Sequence, residues 1–183
     1  MSTLRIEDRH DAVSKKMIEL NPQFDGNLGL GWLRGTFFSV MISATHVDDI
    51  TPIRAYAGWL KSFNCSGRTS SKERLSKLTD LTPLSGMELT QVGISMTAVS
   101  DLGPLRGMPI VRLSAHNTQV KDLTPLRGMP LESFTCMSTT VSDLTPLRGL
   151  PLKSLDVSDT LVTDLTPLYE CKQLESLRIE GCP

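Results

Sequence analysis

Apolar residues recur along this chain with a period far longer than that of a helix or a strand. Leu152, Leu155, Val157, Thr160, Val162, Leu165 and Leu168 have counterparts 21 residues earlier in Leu131, Phe134, Cys136, Thr139, Val141, Leu144 and Leu147. One period further back stand Ile110, Leu113, Ala115, Thr118, Val120, Leu123 and Leu126, and before them Leu89, Val92, Ile94, Thr97, Val99, Leu102 and Leu105. The string DLTPL or a close variant starts at Asp80, Asp101, Asp122, Asp143 and Asp164, again 21 apart. A fixed period of this size marks a repeat architecture. Within each unit the alternation of Leu155 and Val157 with polar neighbours predicts a short strand with one buried face. One unit cannot bury that face alone, so the units must stack, each strand lying about 4.8 Å from the next in a parallel sheet. The return segment TPLRG offers a capping Thr, a Pro suited to a first helical position and an exit Gly, which predicts a single helical turn. Only TPIRAYAGWLKSF after Asp49–Ile50 and PLYECKQL after Thr166 are long enough for more.

The spacing LxxLxLxxTxV resembles the leucine-rich repeat family, with threonine where that family usually carries asparagine. The resemblance implies an α/β fold: a right-handed solenoid with a parallel sheet on the concave face and short helical turns on the convex face. Phe37, Val40, Ile42, Thr45, Val47, Ile50 and Ile53 fit the template upstream, and Leu60, Phe63 and Cys65 begin a unit that rejoins it at Leu78. The polar stretch between, residues 66–77, reads as an insertion loop. Leu174, Leu177, Ile179 and Cys182 open a last unit shifted by one residue. Residues 31–183 thus read as a solenoid of about seven coils. Residues 1–30 read as a cap, because Ile6, Val13, Met17 and Leu20 space out as an amphipathic helix that would cover the first coil. The segment DAVSKKMIELNPQFDG with the DLTPLRGMPL repeats is also similar to bacterial leucine-rich repeat regions attached to serine/threonine kinases. No kinase motif is present in this sequence, so the resemblance implies no kinase activity.

Charge and composition narrow the function. Nineteen basic and 20 acidic residues, net charge −1, give no overall reason to expect nucleic acid or an anionic membrane as partner. No apolar run spans a bilayer, and MSTLRIEDRH lacks the core of a secretory signal, so a cytoplasmic chain is expected. Four cysteines in no metal-ligand spacing suggest neither a disulfide scaffold nor a zinc site, and a Cys171–Cys182 bond is the one pairing the last coil could make. The repeated aspartates read as turn acceptors and not as a calcium column, and the threonines as a hydroxyl ladder from coil to coil. No cofactor or metal is expected.

Function is therefore sought in the residues that point outward from the strands and just beyond them. Met96, Arg112, His116, Asn117, Met137, Asp156, Asp159 and Arg178 are the candidate partner-binding residues, since Met and Arg are enriched at interfaces. Ser95, His116 and Asp156 come nearest to a catalytic triad, but the template separates the last two by two coils, roughly 10 Å, beyond hydrogen-bond reach. The expected function is a non-enzymatic protein-interaction module whose partner is a protein or peptide. The alternative is a structural or regulatory segment of a larger signalling protein. The last strand has no capping helix after it, so either self-association through that C-terminal edge or a chain cut from a longer protein is expected.

Overall fold

The computed structural model describes residues 6–33, 36–43, 46–67 and 76–183. Most of the predicted insertion, residues 68–75, lies outside them, as does Thr45. The chain opens with helix α1 (Ile6–Leu20) and strands β1 (Leu28–Leu33), β2 (Thr36–Ser43) and β3 (Ser62–Ser66). Three-residue strands follow once per coil: β4 (Gln91–Gly93), β5 (Arg112–Ser114), β6 (Ser133–Thr135), β7 (Ser154–Asp156) and β8 (Ser176–Arg178). They form one sheet in chain order, antiparallel between β1 and β2 and parallel from β2 to β8. The register keeps equivalent positions side by side: Leu113 pairs with Phe134 and Phe134 with Leu155, so one buried row runs through successive coils.

β1 was not foreseen. The boundary placed after residue 30 falls inside this strand, which runs back along β2 as a hairpin. Its LGLGWL sequence hides the period of two, because Gly29 and Gly31 occupy the alternate positions. The insertion is also shorter than 66–77. Ser66 ends β3, Gly67 donates its N–H to Ser95 O, and Ser76 rejoins the ladder beside Thr97. A Cβ on Gly67 would lie 2.6 Å from Met96 O, so the chain leaves the coil at a point that only glycine fits.

The return segments are 3-10 turns: Thr82–Leu84, Gly103–Leu105, Thr124–Leu126, Thr145–Leu147 and Thr166–Glu170, with a longer one at Thr51–Tyr56. The glycines at 86, 107, 128 and 149 sit at φ of 69–75° directly after the turns, a conformation that side chains with a Cβ resist. Threonine opens most of these turns but does not cap them. The cap is the aspartate two residues earlier: Asp49, Asp80, Asp101, Asp122, Asp143 and Asp164 each accept the N–H of residue i+2 at 2.6–2.8 Å. A carboxylate is the better acceptor for an unpaired N–H at the start of a turn.

These bonds favour the ionised acid. The Thr82, Thr124 and Thr145 hydroxyls, and then their N–H groups, hold Asp80, Asp122 and Asp143 below the ordinary aspartate value; the N–H and then the hydroxyl of Thr166 do so for Asp164. A depressed folded pKa gives stability that is present above the unfolded value, roughly 3.9, and lost as pH falls through the folded one. Urea unfolding midpoints are accordingly expected to fall between about pH 5 and about pH 2. Midpoints that stay level across that range would contradict the capping role.

The threonine hydroxyls do not form a ladder between coils. Thr97, Thr118, Thr139 and Thr160 are buried, and each donates to the carbonyl three residues back in its own coil at 2.6–2.7 Å, to Ile94, Ala115, Cys136 and Val157. Threonine is shorter than asparagine, and of these four only Thr160 also reaches the next coil, its hydroxyl lying 3.5 Å from Cys182 Sγ. Neighbouring coils are joined instead by backbone, as in Ile94 N–H to Ser114 O and Cys136 N–H to Asp156 O.

All four cysteines are free thiols. Cys65 and Cys136 are fully buried core positions, and burial pushes both up to about 12. Cys171 and Cys182 donate separately, to Leu147 O and Val157 O.

Helix α1 closes the N-terminal end by burying Val13 and Met17. Its Arg9 guanidinium lies 4.3 Å from the Trp59 ring centroid and donates to Ala55 O, and His10 Nδ1 is 3.3 Å from the Tyr56 hydroxyl. Asn21, directly after the helix, is 1% exposed and ties it to the first coil. Its Nδ2 donates to Met17 O and Asp49 O, and its Oδ1 accepts the N–H groups of Asp48 and Asp49. The sequence shows Asn21 only as a helix stop.

Candidate functional site

Side chains alternate along a strand, so while Val92, Leu113, Phe134 and Leu155 fill the core, their neighbours on either side face away from it. The outward row runs Ser62, Gln91, Arg112, Ser133, Ser154 and Ser176, and the second row Asn64, Gly93, Ser114, Thr135, Asp156 and Arg178. Over β3 to β6 these rows line a shallow depression of about 300 Å³. At the N-terminal end of the sheet lies a more apolar cavity of about 390 Å³, lined by Leu30, Met41 and Ile42.

The structure distributes the eight predicted residues over two settings. Arg112, Asp156 and Arg178 are strand residues. Arg112 is exposed, and among the described residues it has no ion pair or hydrogen bond through its side chain. Asp156 accepts the Ser158 N–H at 3.0 Å, and one of its oxygens is 3.8 Å from Arg178. Met96, His116, Asn117, Met137 and Asp159 lie just beyond the strands. There the backbone continues the ladder, Met96 N–H to His116 O and Asn117 N–H to Met137 O, both at 2.9 Å. Met96, Asn117 and Asp159, with Ser138, adopt φ of 52–59°. Asn and Asp tolerate that left-handed conformation, so a turn requirement alone accounts for Asn117 and Asp159. Nothing of that kind accounts for Met96.

His116 is half-buried, and burial pushes its pKa below the ordinary histidine value while the Asp156 charge pulls it part-way back. The net shift favours the neutral imidazole. Ser95, His116 and Asp156 do not form a connected triad. Ser95 Oγ shares a 2.8 Å hydrogen bond with Ser114 Oγ, which is in turn 3.4 Å from His116 Nδ1. Ser95 is 2% exposed, and the Asp156 carboxylate is engaged with Ser158 and Arg178. Among the described residues, no group of three or more His, Cys, Asp or Glu is placed to hold a metal ion.

Sequence reasoning missed a pairing between β3 and β4. Asn64 Oδ1 accepts the Ser66 N–H at 3.1 Å, which turns the amide NH2 over Gly93. A Cβ on Gly93 would lie 2.8 Å from that nitrogen. The available signal was the glycine itself, at a template position where the following coils carry Ser114, Thr135 and Asp156.

The stacked parallel strands, the 3-10 return turns and the aspartate caps repeat with one period from β4 to the end of β7. The chain is a leucine-rich repeat protein. No family model matches the sequence, and no curated protein matches it. Among solved structures, the leucine-rich repeat chain is similar to an internalin (inlF) of Listeria monocytogenes str. 4b F2365, at 28% identity and a TM-score of 0.64. That match covers 74% of this chain and 38% of the internalin, so the chain spans well under half of that protein. Internalin C2 (inlC2) of the same strain is 22% identical with a TM-score of 0.59, covering 79% of this chain and 71% of that one. The functional domain of InlJ from Listeria monocytogenes gives 22% identity and 0.52, over 75% and 28%. These last two likenesses are likenesses of fold.

Proposed function

We propose that this leucine-rich repeat chain is a protein-interaction module that engages its partner on the outer face of the sheet, over β4 to β7. One observation carries the reading. The repeated aspartates on the return side are consumed by their own turns, whereas the sheet side presents an exposed Arg112 together with half-buried Met96 and Met137, whose side chains make no hydrogen bond or ion pair among the described residues. Adaptable methionines around an arginine are a composition that suits a protein surface. The internalin likeness supports a partner that is itself a protein, since it is a likeness to the repeat architecture that such a surface needs.

The test is capture from a lysate by the wild-type chain and by an Arg112→Glu, Met137→Glu variant. Arg112 is exposed but Met137 is half-buried, so the variant is compared with wild type only at a temperature where its cooperative melt shows it folded. A protein retained by wild type and lost by the variant is the expected result. A protein retained equally by both would place the binding surface elsewhere.

A further inference from the structure

The depression over β3 to β6 is chemically one-sided. Its polar side chains are the Arg112 guanidinium, the amides of Asn64 and Gln91, and the hydroxyls of Ser62, Ser114, Ser133 and Thr135, with no carboxylate. The nearest acids in sequence are already neutralised: Glu132, next to Ser133, is 2.9 Å from Lys153, and Glu88 is 2.7 Å from Lys61. Asp156, two strands beyond β5, is engaged with Ser158 and Arg178. Among the described residues Arg112 thus stands as an uncompensated cation, surrounded by hydroxyls and amides that can donate to an anion. Register places Gln91 and Ser133 directly beside it on the neighbouring strands, about 4.8 Å away on either side.

Asn64 extends the same preference. With its oxygen held by the Ser66 N–H, its NH2 group is turned over Gly93 toward the depression, and the missing Cβ leaves the room for it. Two donor groups, the guanidinium and this amide, therefore sit on strands two apart, roughly 10 Å from each other at the strand spacing. That separation suits an extended segment lying across the strands, with acceptors spaced a few residues apart.

Resting on the reading that the outer face binds a protein, we propose that this depression recognises an acidic segment of the partner, seating an Asp or Glu carboxylate on the Arg112 guanidinium. A cationic segment would meet Arg112 with no carboxylate to pair it. An apolar segment would strip water from hydroxyls and amides without replacing the hydrogen bonds. A nucleic acid would need several phosphates neutralised at once, and the depression holds one cation. A carboxylate satisfies the fork of the guanidinium bidentately and accepts from the flanking hydroxyls.

The experiment is fluorescence anisotropy of the full chain with fluorescein-labelled hexaglutamate at low salt, against hexaserine and hexalysine carrying the same label. Hexaglutamate is expected to bind and the other two are not. Arg112→Gln should weaken hexaglutamate at least about tenfold, the loss of a charge-assisted bidentate pair. Arg112→Lys should weaken it by a smaller factor, because the point charge stays and the fork is lost. Arg127→Gln, on the return side, serves as the control for unspecific attraction and should change nothing. Absence of hexaglutamate binding by wild type, or equal binding by Arg112→Gln, overturns the proposal. If either result accompanies a captured protein that the Arg112→Glu, Met137→Glu variant loses, the outer face remains the binding surface and only the acidic specificity falls. If capture survives that variant, the reading of the face falls too.

Discussion

Replacing Asn21 with alanine is expected to destabilise the N-terminal end of the solenoid by about 3 kcal/mol, since each buried group left unsatisfied costs roughly 1–3 kcal/mol. The side chain is 1% exposed and makes hydrogen bonds to Met17 O, Asp49 O and the N–H groups of Asp48 and Asp49. Alanine leaves all four partners without it and replaces it with a small void. Asn21→Asp is expected to lie between the two, because a carboxylate still accepts from the two N–H groups but faces the two carbonyls without a proton to offer. The loss should be local. In a repeat protein each unit contacts only its neighbours, so stability is approximately a sum along the chain. Hydrogen exchange should accelerate in α1 and the Thr51–Tyr56 turn while β5 to β8 keep their protection. Uniform acceleration along the whole chain would contradict this picture, and unchanged exchange at α1 would contradict the role of Asn21.

The second large effect lies in the middle of the stack. Phe134 is 1% exposed and sits in register between Leu113 and Leu155. Phe134→Ala removes one of the two phenylalanines of that row, the other being Phe63, and leaves a cavity walled by two neighbouring coils, which cannot collapse inward without breaking their own register. A cost of about 4 kcal/mol is expected, the range for phenylalanine truncation in a core. For a chain of this size that lowers the thermal midpoint by roughly 10 °C. Leu177, the counterpart of Phe134 in β8, is 38% exposed, so Leu177→Ala should move the midpoint far less. Calorimetry on both variants checks the pair. Equal shifts would mean that the buried row does not run through the stack as the register indicates.

Much of this architecture was legible because the repeat repeats. From Leu89 to Leu168 each structural position is written four times, so a single deviant residue cannot mask the period. Cys136 and Ala115 were recognised as core by position and not by type, and both are fully buried. Legibility failed where a feature occurs once. β1 is antiparallel, has no counterpart elsewhere, and alternates leucine with glycine. The Asn21 clamp joins residues 28 apart, and no local pattern announces such a bond. The threonine positions were placed correctly but given the wrong partners. Spacing shows which residues stack, and the reach of a hydroxyl decides what it bonds.

The outer face was legible to the same limited degree. Alternation shows which residues point outward, and so it placed Arg112, Asp156 and Arg178. It does not show that Asp156 lies 3.8 Å from Arg178 and accepts the Ser158 N–H, that Arg112 is unpaired among the described residues, or that Asn117 and Asp159 occupy left-handed turns. Those distinctions are three-dimensional, and they concentrate the candidate site on Arg112, Met96 and Met137.

The most direct measurement is a titration of the captured partner against three proteins: wild type, Arg112→Glu with Met137→Glu on the outer face, and Arg106→Glu with Arg127→Glu on the return side. The dissociation constant is expected to rise at least about tenfold for the outer-face pair and to stay within about twofold for the return-side pair. The reverse order, with all three proteins equally folded, would show that the partner binds the turns and not the sheet.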